Sequence, residues 1–430
     1  MIFTRQQLRP FMYGLADLGP ACVDIFLKVY LLLYFNVILG LSPTATSVAI
    51  GMGVLWDALI DPWIGIYSDR YYHKNGHRKF LIWTATILSV GVFISIWQVP
   101  HLGDGLTFFA LFLLSSILNS ALSLYSVPYI ALANDLEPDN EKRKVWTGWR
   151  LAFLNFGAFL GLGVPAVFLT RTAGANETPA YPYQISSVVL GLVMLVCSVV
   201  AVRYLYRGEK IKVHDIPHER HKKISELIKD RTYLRLMTSY FVVNCGIGLN
   251  SALALYYYKD YLNFTQKQTQ TILVSFLAVF TFSIPLWVYL TKFFSKPKLI
   301  TAGAFLLGVI SCICFPHFRG VDFAVIFFIA SVIGGILVGV AVVLEIYLSD
   351  FLKDKEHETG QNVSGQYLGV WKMSSKISRA VAIALAGPIL EMTGDKQSLA
   401  NFFGWGVGLF FVLAALIMLI PIDYGEKTAK

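Results

Sequence analysis

The feature that most constrains the fold of this chain is a series of twelve apolar stretches, each long enough to cross a lipid bilayer. A membrane-spanning helix needs about 20 mainly apolar residues to cross ~30 Å of hydrocarbon. Hydrophobic residues make up 56% of the 430 residues and charged residues 15%, whereas soluble domains carry about 25% charged residues. A soluble fold of this size cannot bury so much apolar surface. The predicted spans are residues 11–38, 44–68, 80–100, 106–133, 146–171, 185–206, 232–258, 268–291, 298–316, 323–350, 362–390 and 403–422.

A long polar segment divides the predicted spans into two sets of six. It covers residues 207–231, which we interpret as a linker between an N-terminal bundle, 1–206, and a C-terminal bundle, 232–430. Two six-helix halves around a central substrate site are typical of secondary transporters that work by alternating access. We therefore predict an all-α integral membrane protein with twelve transmembrane helices in two pseudo-symmetric bundles.

The distribution of positive charge predicts the orientation of the chain. The net charge is +9, and most Lys and Arg residues fall in the termini, the linker and the loops on one side of the predicted spans. Such a bias marks the cytoplasmic side of a membrane protein. We expect both termini and the linker in the cytoplasm, a location in the cell membrane, and no nucleic-acid partner.

Other classes of membrane protein fit the sequence less well. A channel is more often a smaller oligomeric subunit, and a membrane enzyme needs a catalytic or metal cluster at one face, which the sequence does not show. All five cysteines lie in apolar stretches, so a disulfide framework is not expected. We predict a transporter, not an enzyme, that acts as a monomer in membrane lipid on a small-molecule substrate and needs no cofactor.

Two carboxylates in the second span are the strongest chemical signal. Asp57 and Asp61 are four residues apart, which places them on one face of a helix, about 6 Å apart along its axis. Ionisable groups inside a membrane are costly, and two like charges this close either take up a proton or share a cation. Pro62 loosens the backbone nearby. The pair predicts a binding site for a metal cation, Na⁺ or Li⁺, or for H⁺.

Further charged residues occur inside the predicted spans. Asp24 and Lys28 of the first span are four residues apart and are expected either to neutralise each other or to contribute to a substrate site. Asp17 lies near the cytoplasmic end, where we expect it to be solvated. Arg150, early in the fifth span, is a candidate either for the substrate cavity or for an anchor at the membrane interface.

The eleventh span adds two lysines on one helix face, Lys372 and Lys376. Lys376 lies deep enough to need an anionic partner. We expect it to compete with a cation for Asp57 and Asp61 and so to couple the cation to the substrate, with Lys372 in a lesser role near the cytoplasm. Glu345 and Asp350, near the cytoplasmic end of the tenth span, are expected to be gate groups.

The loop after the second span resembles the signature loop of the major facilitator superfamily. It contains Gly65, Asp69 and Arg70, followed after an insertion by Gly76 and Arg78. We expect Gly65 to allow close helix approach. Asp69 is expected to cap a helix or to pair with an Arg in a latch that opens with the bundles.

Within that superfamily, the sequence resembles the glycoside–pentoside–hexuronide:cation symporters. The resemblance rests on the runs YGLADLG at 13–19, WDALIDP at 56–62 and VPY at 127–129, and on the segment 369–376. The family implies that Asp57 and Asp61 bind Na⁺, H⁺ or Li⁺ with Ser123 as a further ligand. It also implies a cavity position for Arg150 and Lys376, and we expect Tyr129 at the substrate site.

The chain departs from this family where the family binds sugar through carboxylates. The corresponding positions of the first and fourth helices are Ala21 and Ser126, and only Asp24 offers a substitute, one turn away. A sugar or glycoside remains the first expectation for the substrate. A lysophospholipid or other amphiphile is the alternative, because the lysophospholipid symporters have a similar Asp pair, Val-Pro-Tyr run and eleventh-helix Lys.

Overall fold

The computed structural model describes residues 5–137, 139–171, 179–206, 230–359 and 364–420, which are almost entirely helical. Twelve helices are long and apolar enough to cross a membrane, as predicted, so the protein is a multi-pass membrane protein. The helices of the first half are α1 (Arg5–Leu33), α2 (Pro43–Asn75), α3 (Lys79–Ile96), α4 (Asp104–Leu136), α5 (Asn140–Arg171) and α6 (Tyr181–Leu205). Those of the second half are α7 (Arg231–Tyr256), α8 (Gln266–Leu290), α9 (Lys296–Cys314), α10 (Phe323–Thr359), α11 (Ser364–Met392) and α12 (Lys396–Leu419). Short π-helical turns extend α1 and α7 and interrupt α12, at Tyr34–Ile38, Tyr257–Tyr261 and Phe402–Gly406.

The helix ends follow the local sequence. The Ser42 side chain accepts a hydrogen bond from the Ala45 N–H at the start of α2, and Gly76 ends that helix in the left-handed region at φ 71°, which Gly adopts without strain. Asp395 caps α12 by accepting hydrogen bonds from the backbone N–H and the hydroxyl of Ser398. These bonds stabilise the ionised carboxylate and lower the pKa of Asp395.

Two tyrosines of α4 join it to the backbone of α1. Pro20 has no N–H, so the carbonyl oxygen of Ala16 loses its usual donor inside α1. The Tyr125 hydroxyl donates to this oxygen at 2.6 Å, and the Tyr129 hydroxyl donates to the Tyr13 carbonyl at 2.5 Å. The proline that weakens α1 therefore also creates an acceptor that fixes α4 against it.

Glycines bring α5 into backbone contact with α1. A Cβ atom at Gly157 would overlap the carbonyl oxygen of Leu18, and one at Gly161 would lie 2.6 Å from the carbonyl oxygen of Cys22. Small residues allow such close approach in membranes, where van der Waals packing and hydrogen bonds hold helices together. The position of α5 against α1 is therefore set by shape, before any charged contact is considered.

The chain separates into two compact units. One comprises Met1–Pro217 with Phe264–Val274 and Ile383–Pro388, and the other comprises His218–Asn263, Ser275–Ala382 and Ile389–Lys430. The predicted division at 1–206, 207–231 and 232–430 stays a prediction, because nearly all of the linker lies outside the described residues.

Candidate functional site: a carboxylate pair and the polar groups of each unit

The predicted cation site lies between α2 and α4 of the first unit. Asp57 is 4% exposed, and its Oδ1 accepts a hydrogen bond of 2.7 Å from the hydroxyl of Ser123, which is equally buried. Asp61 follows one turn later and is half-buried. The structure thus brings Ser123 of α4 to Asp57 of α2, with Asp61 one turn along α2.

Tight packing of α2 on α4 holds this arrangement. A Cβ atom at Gly53, one turn before Asp57, would lie 2.8 Å from the Ser115 Cβ, so the two helices nearly touch there. On the neighbouring face, the Trp56 indole N–H donates to the Ser120 hydroxyl at 3.0 Å. The depth and rotation of both helices are therefore fixed on either side of the carboxylate pair.

The chemistry of the donor set fits a hard monovalent cation. Two carboxylates and a hydroxyl provide only oxygen atoms, which suit Na⁺, Li⁺ or a proton and not a soft transition metal. Among the described residues, no group of three or more His, Cys, Asp or Glu side chains is placed to hold a metal ion. Binding of a coupling cation at Asp57 and Asp61 stays a prediction.

Arg150 has a buried partner that the sequence did not reveal. Its Nε donates to Oδ2 of Asp17 at 2.8 Å, with the Arg150 side chain 26% exposed and the Asp17 side chain 10% exposed. The expectation that Asp17 is solvated is wrong, because the close packing of α5 on α1 encloses it. The signal for this pair was Arg150 itself, since an Arg inside a span requires an anion nearby.

Tyr129 is packed between α1 and Arg150. Its side chain is fully buried, and its hydroxyl donates a hydrogen bond to the Tyr13 carbonyl oxygen. The rings of Tyr13 and Tyr129 stack with centroids 4.6 Å apart, and the Arg150 guanidinium carbon lies 6.0 Å from the Tyr129 ring centroid. Tyr129 therefore joins α4 to α1 beside Arg150, and a contact between Tyr129 and the substrate stays a prediction.

Asp24 and Lys28 form an ion pair within α1, one of the two outcomes expected for them. The Asp24 side chain is 47% exposed and that of Lys28 is 33% exposed, so protein encloses neither charge completely. A role for Asp24 in substrate binding stays a prediction.

The signature loop forms an ion pair at the α2–α3 connection. Arg78 is 2% exposed, and its Nη2 lies 3.0 Å from Oδ1 of Asp69. Its Nη1 donates to the Ser68 hydroxyl at 2.6 Å, and its guanidinium carbon lies 4.6 Å from the Tyr72 ring centroid. Pairing with an Arg, and not helix capping, is thus the outcome for Asp69.

Two other residues of that loop differ from expectation or remain untested. The close helix approach expected at Gly65 is absent, because a Cβ atom there would meet no atom of the described residues within 4 Å. Arg70 is exposed, and its role in a gate stays a prediction.

The predicted lysines lie on α11 in the second unit, with Lys372 exposed and Lys376 half-buried. Coupling through Lys376 stays a prediction.

The second unit contains a polar cluster that the sequence analysis did not identify as a binding site. The Trp371 indole N–H of α11 donates to Oε1 of Glu345 on α10 at 3.0 Å, and the Trp371 ring stacks on Tyr240 of α7 with centroids 3.8 Å apart. One turn further along α7, the Asn244 amide oxygen accepts a 3.4 Å hydrogen bond from Ser375. A carboxylate in an apolar span was the available signal, but its position near the end of α10 favoured a gate.

Asp350, also expected to be a gate group, pairs with Lys296 at the start of α9. Nearby, Lys355 pairs with Asp230, which caps α7. These four charges line one cavity of about 460 Å³ in the second unit. They therefore belong to a charged helix-end cluster, separate from the Glu345 contacts.

Comparison with known proteins places this geometry in context. Residues 12–424 match the sequence profile of the family described as MFS/sugar transport protein. The structure of a variant of the nucleoside transporter NupG matches with a TM-score of 0.70 at 15% identity, over 96% of this chain and 100% of that one. At this identity the likeness establishes the fold alone, and it agrees with the predicted twelve-helix architecture.

Two curated relatives differ in their named substrates. The sodium-dependent lysophosphatidylcholine symporter 1-A of Danio rerio is 23% identical over 421 residues, covering 86% of this chain and 74% of the relative. YagG of Escherichia coli, named as a glycoside/cation symporter, is 23% identical over 392 residues, covering 90% of this chain and 83% of the relative. Both names describe cation-coupled transport, and the two substrates belong to different chemical classes.

Proposed function

Because this chain belongs to the MFS/sugar transport protein family, we propose that it is a cation-coupled symporter that carries a sugar or glycoside by alternating access. The observation that carries the proposal is the buried contact between Asp57 and Ser123, with Asp61 one helical turn away. Two carboxylates on one helix face inside a membrane are costly unless they take up a proton or share a cation. A coupling cation, Na⁺ or H⁺, gives them a function.

Arg150 and Asp24 are the proposed substrate-binding residues of the first unit, and Lys376 is the residue proposed for the second unit. Each sugar hydroxyl that leaves water needs a partner, so a sugar site must offer several donors and acceptors. The Arg150 guanidinium is held through Nε by Asp17. Its terminal amino groups are the natural donors for a pair of substrate oxygens.

We propose that the Asp69–Arg78 pair acts as a latch that opens and closes with the transport cycle. Asp69 is 55% exposed and Arg78 is buried, so Asp69 is the partner that is free to leave while Arg78 stays anchored on Ser68 and Tyr72. Slower turnover of Asp69→Asn at unchanged substrate affinity is the expected sign of this role, and unchanged turnover would exclude it.

A lysophospholipid or other amphiphile is the second candidate substrate. It is favoured by the Danio rerio relative, named as a lysophosphatidylcholine symporter. α2 also exposes an apolar face at Leu55, Leu59 and Trp63, on the side of the helix away from the carboxylate pair. Such a face suits an acyl chain as well as it suits surrounding lipid.

We further propose that the protein works as a monomer in the cell membrane, with both termini in the cytoplasm. The orientation follows from the basic residues at the ends of α2 and α3 and in the predicted linker.

The experiment that tests the proposed function is a thermal-shift screen of the purified protein against sugars and lysolipids, with and without Na⁺. Stabilisation by a sugar that increases with Na⁺, or at lower pH in its absence, is expected. Stabilisation by lysolipids and by none of the sugars would show that the substrate is the second candidate, a lysophospholipid or other amphiphile. No cation effect with any substrate would refute cation coupling.

A further inference from the structure

Glu345, which the sequence predicts to be a gate group, lies in the membrane-spanning helix α10. Resting on the proposed function, we propose that Glu345 is the carboxylate that accepts hydrogen bonds from the hydroxyl groups of the sugar substrate.

The carboxylate is held in place by aromatic side chains. The buried Trp371, 1% exposed, donates its indole N–H to Oε1 of Glu345 at 3.0 Å. Tyr240 stacks on Trp371 with an interplanar angle of 16°, and its hydroxyl lies in hydrogen-bonding contact with Glu345. Donors on two other helices therefore set the position of the carboxylate before any ligand arrives.

The exposure and the neutral partners of Glu345 favour a role in ligand binding. Its side chain is exposed although the residues immediately before it, Val343 and Leu344, are fully buried. Among the described residues it accepts hydrogen bonds from neutral groups and forms no ion pair. A charged group within a membrane helix normally faces a water-filled space and marks a substrate or ion pathway.

The surrounding groups select hydroxyls over a quaternary ammonium ion. A carboxylate among aromatic rings also suits a choline headgroup, but that requires open ring faces. Here Trp371 is buried, and its ring covers one face of the Tyr240 ring. The adjoining Asn244 and Ser375 add amide and hydroxyl groups, which match a polyol that offers both donors and acceptors.

Equilibrium binding to the purified full-length protein tests the proposal, with a panel of monosaccharides and glycosides and with lysophosphatidylcholine as probes, at saturating and at zero Na⁺. Glu345→Gln keeps the shape and the hydrogen bond from Trp371 but removes the charge. We expect it to weaken sugar binding by about tenfold to a hundredfold, the range for a hydrogen bond to a charged group. In the absence of sugar, we expect Na⁺ to stabilise Glu345→Gln against unfolding as much as it stabilises wild type.

Glu358→Gln is the matched control, because Glu358 lies on the same helix, is 65% exposed and pairs with Lys355. It should bind sugar like wild type. Tyr240→Phe removes one hydroxyl beside Glu345 and should weaken sugar binding by several-fold, which provides a second reading if Glu345→Gln proves unstable.

The outcomes separate this inference from the proposed function. Wild-type sugar affinity in both Glu345→Gln and Tyr240→Phe overturns the role of Glu345 and leaves the sugar symporter in place. If Glu345→Gln binds sugar normally but loses proton-driven uptake, Glu345 is a proton carrier and not a sugar ligand. If wild type binds lysophosphatidylcholine and none of the sugars, the sugar substrate and the role of Glu345 are both refuted.

Discussion

The hydroxyl of Ser123 donates a hydrogen bond of 2.7 Å to the carboxylate of Asp57 and thereby joins α4 to α2 inside the first unit. The bond places a third oxygen atom beside two carboxylates that share a helix face. A hydroxyl that donates to Asp57 in this state can rotate and present a lone pair to a cation, because hydroxyl hydrogens are free to reorient.

Removing that hydroxyl should weaken cation binding without disturbing the fold. We expect Ser123→Ala to lower Na⁺ affinity by about tenfold, and Ser123→Thr to restore most of it because the oxygen is kept. Na⁺ titration of the melting temperature of the purified protein measures the effect. Ser95→Ala on the exposed side of α3, where the Ser95 hydroxyl donates to the Gly91 carbonyl of the same helix, is the control. Equal Na⁺ affinity in Ser123→Ala and Ser95→Ala would remove Ser123 from the site.

The Asp17–Arg150 pair should contribute to stability through the burial of Asp17. Asp17→Asn leaves a guanidinium without its counter-ion beside α1, which costs about 3–5 kcal/mol for a fully buried pair. Because Arg150 is 26% exposed, we expect about 1–3 kcal/mol and a lower melting temperature. Glu358→Gln, which breaks an exposed pair with Lys355, should change the melting temperature little. Equal melting temperatures for both variants would show that water already screens Arg150.

Lys376 should link substrate binding to cation binding. Lys376→Ala is expected to weaken substrate binding and to reduce the effect of Na⁺ on it, where coupling between two ligands is typically about 5- to 150-fold. Lys372→Ala, with its exposed side chain on the same helix face, should have a smaller effect. Substrate titrations at several Na⁺ concentrations and pH values measure both. An affinity and a Na⁺ dependence equal to wild type in Lys376→Ala would leave Lys376 a structural role only.

The orientation of the chain is open to chemical labelling. A cysteine at Lys74, exposed at the end of α2, should resist impermeant thiol reagents added to intact cells. A cysteine at His101, exposed before α4, should react. All five native cysteines lie inside membrane-spanning helices, and the unmodified protein gives the background. The reverse labelling pattern would invert the predicted topology.

Hydropathy predicted every membrane span but not the full helices. The second and tenth spans were expected to end at residues 68 and 350, whereas α2 continues to Asn75 and α10 to Thr359. The reason is physical: hydropathy reports the part of a helix that lies in lipid, and both helices continue with charged residues that suit water. Helix spacing also predicted the shared face of Asp57 and Asp61.

Contacts between distant helices were harder to predict from sequence. The burial of Asp17 could not be predicted, because it depends on the fit of Gly157 of α5 against α1. No local sequence pattern reveals that fit. A gate role was predicted for Glu345 because the sequence gives its position along α10. The sequence does not give its contact with Trp371 of α11. Ser123 was correctly placed beside Asp57, but by family resemblance and not by spacing.

The most direct test of cation coupling is substrate uptake into proteoliposomes driven by an imposed Na⁺ or pH gradient, with wild type compared with Asp57→Asn. Asp104→Asn, an exposed carboxylate in the first turn of α4, is the control. We predict that wild type and Asp104→Asn accumulate substrate against its gradient, and that Asp57→Asn, folded and incorporated to the same extent, does not. Wild-type accumulation by Asp57→Asn would contradict the assignment of Asp57 and Asp61 as the coupling site.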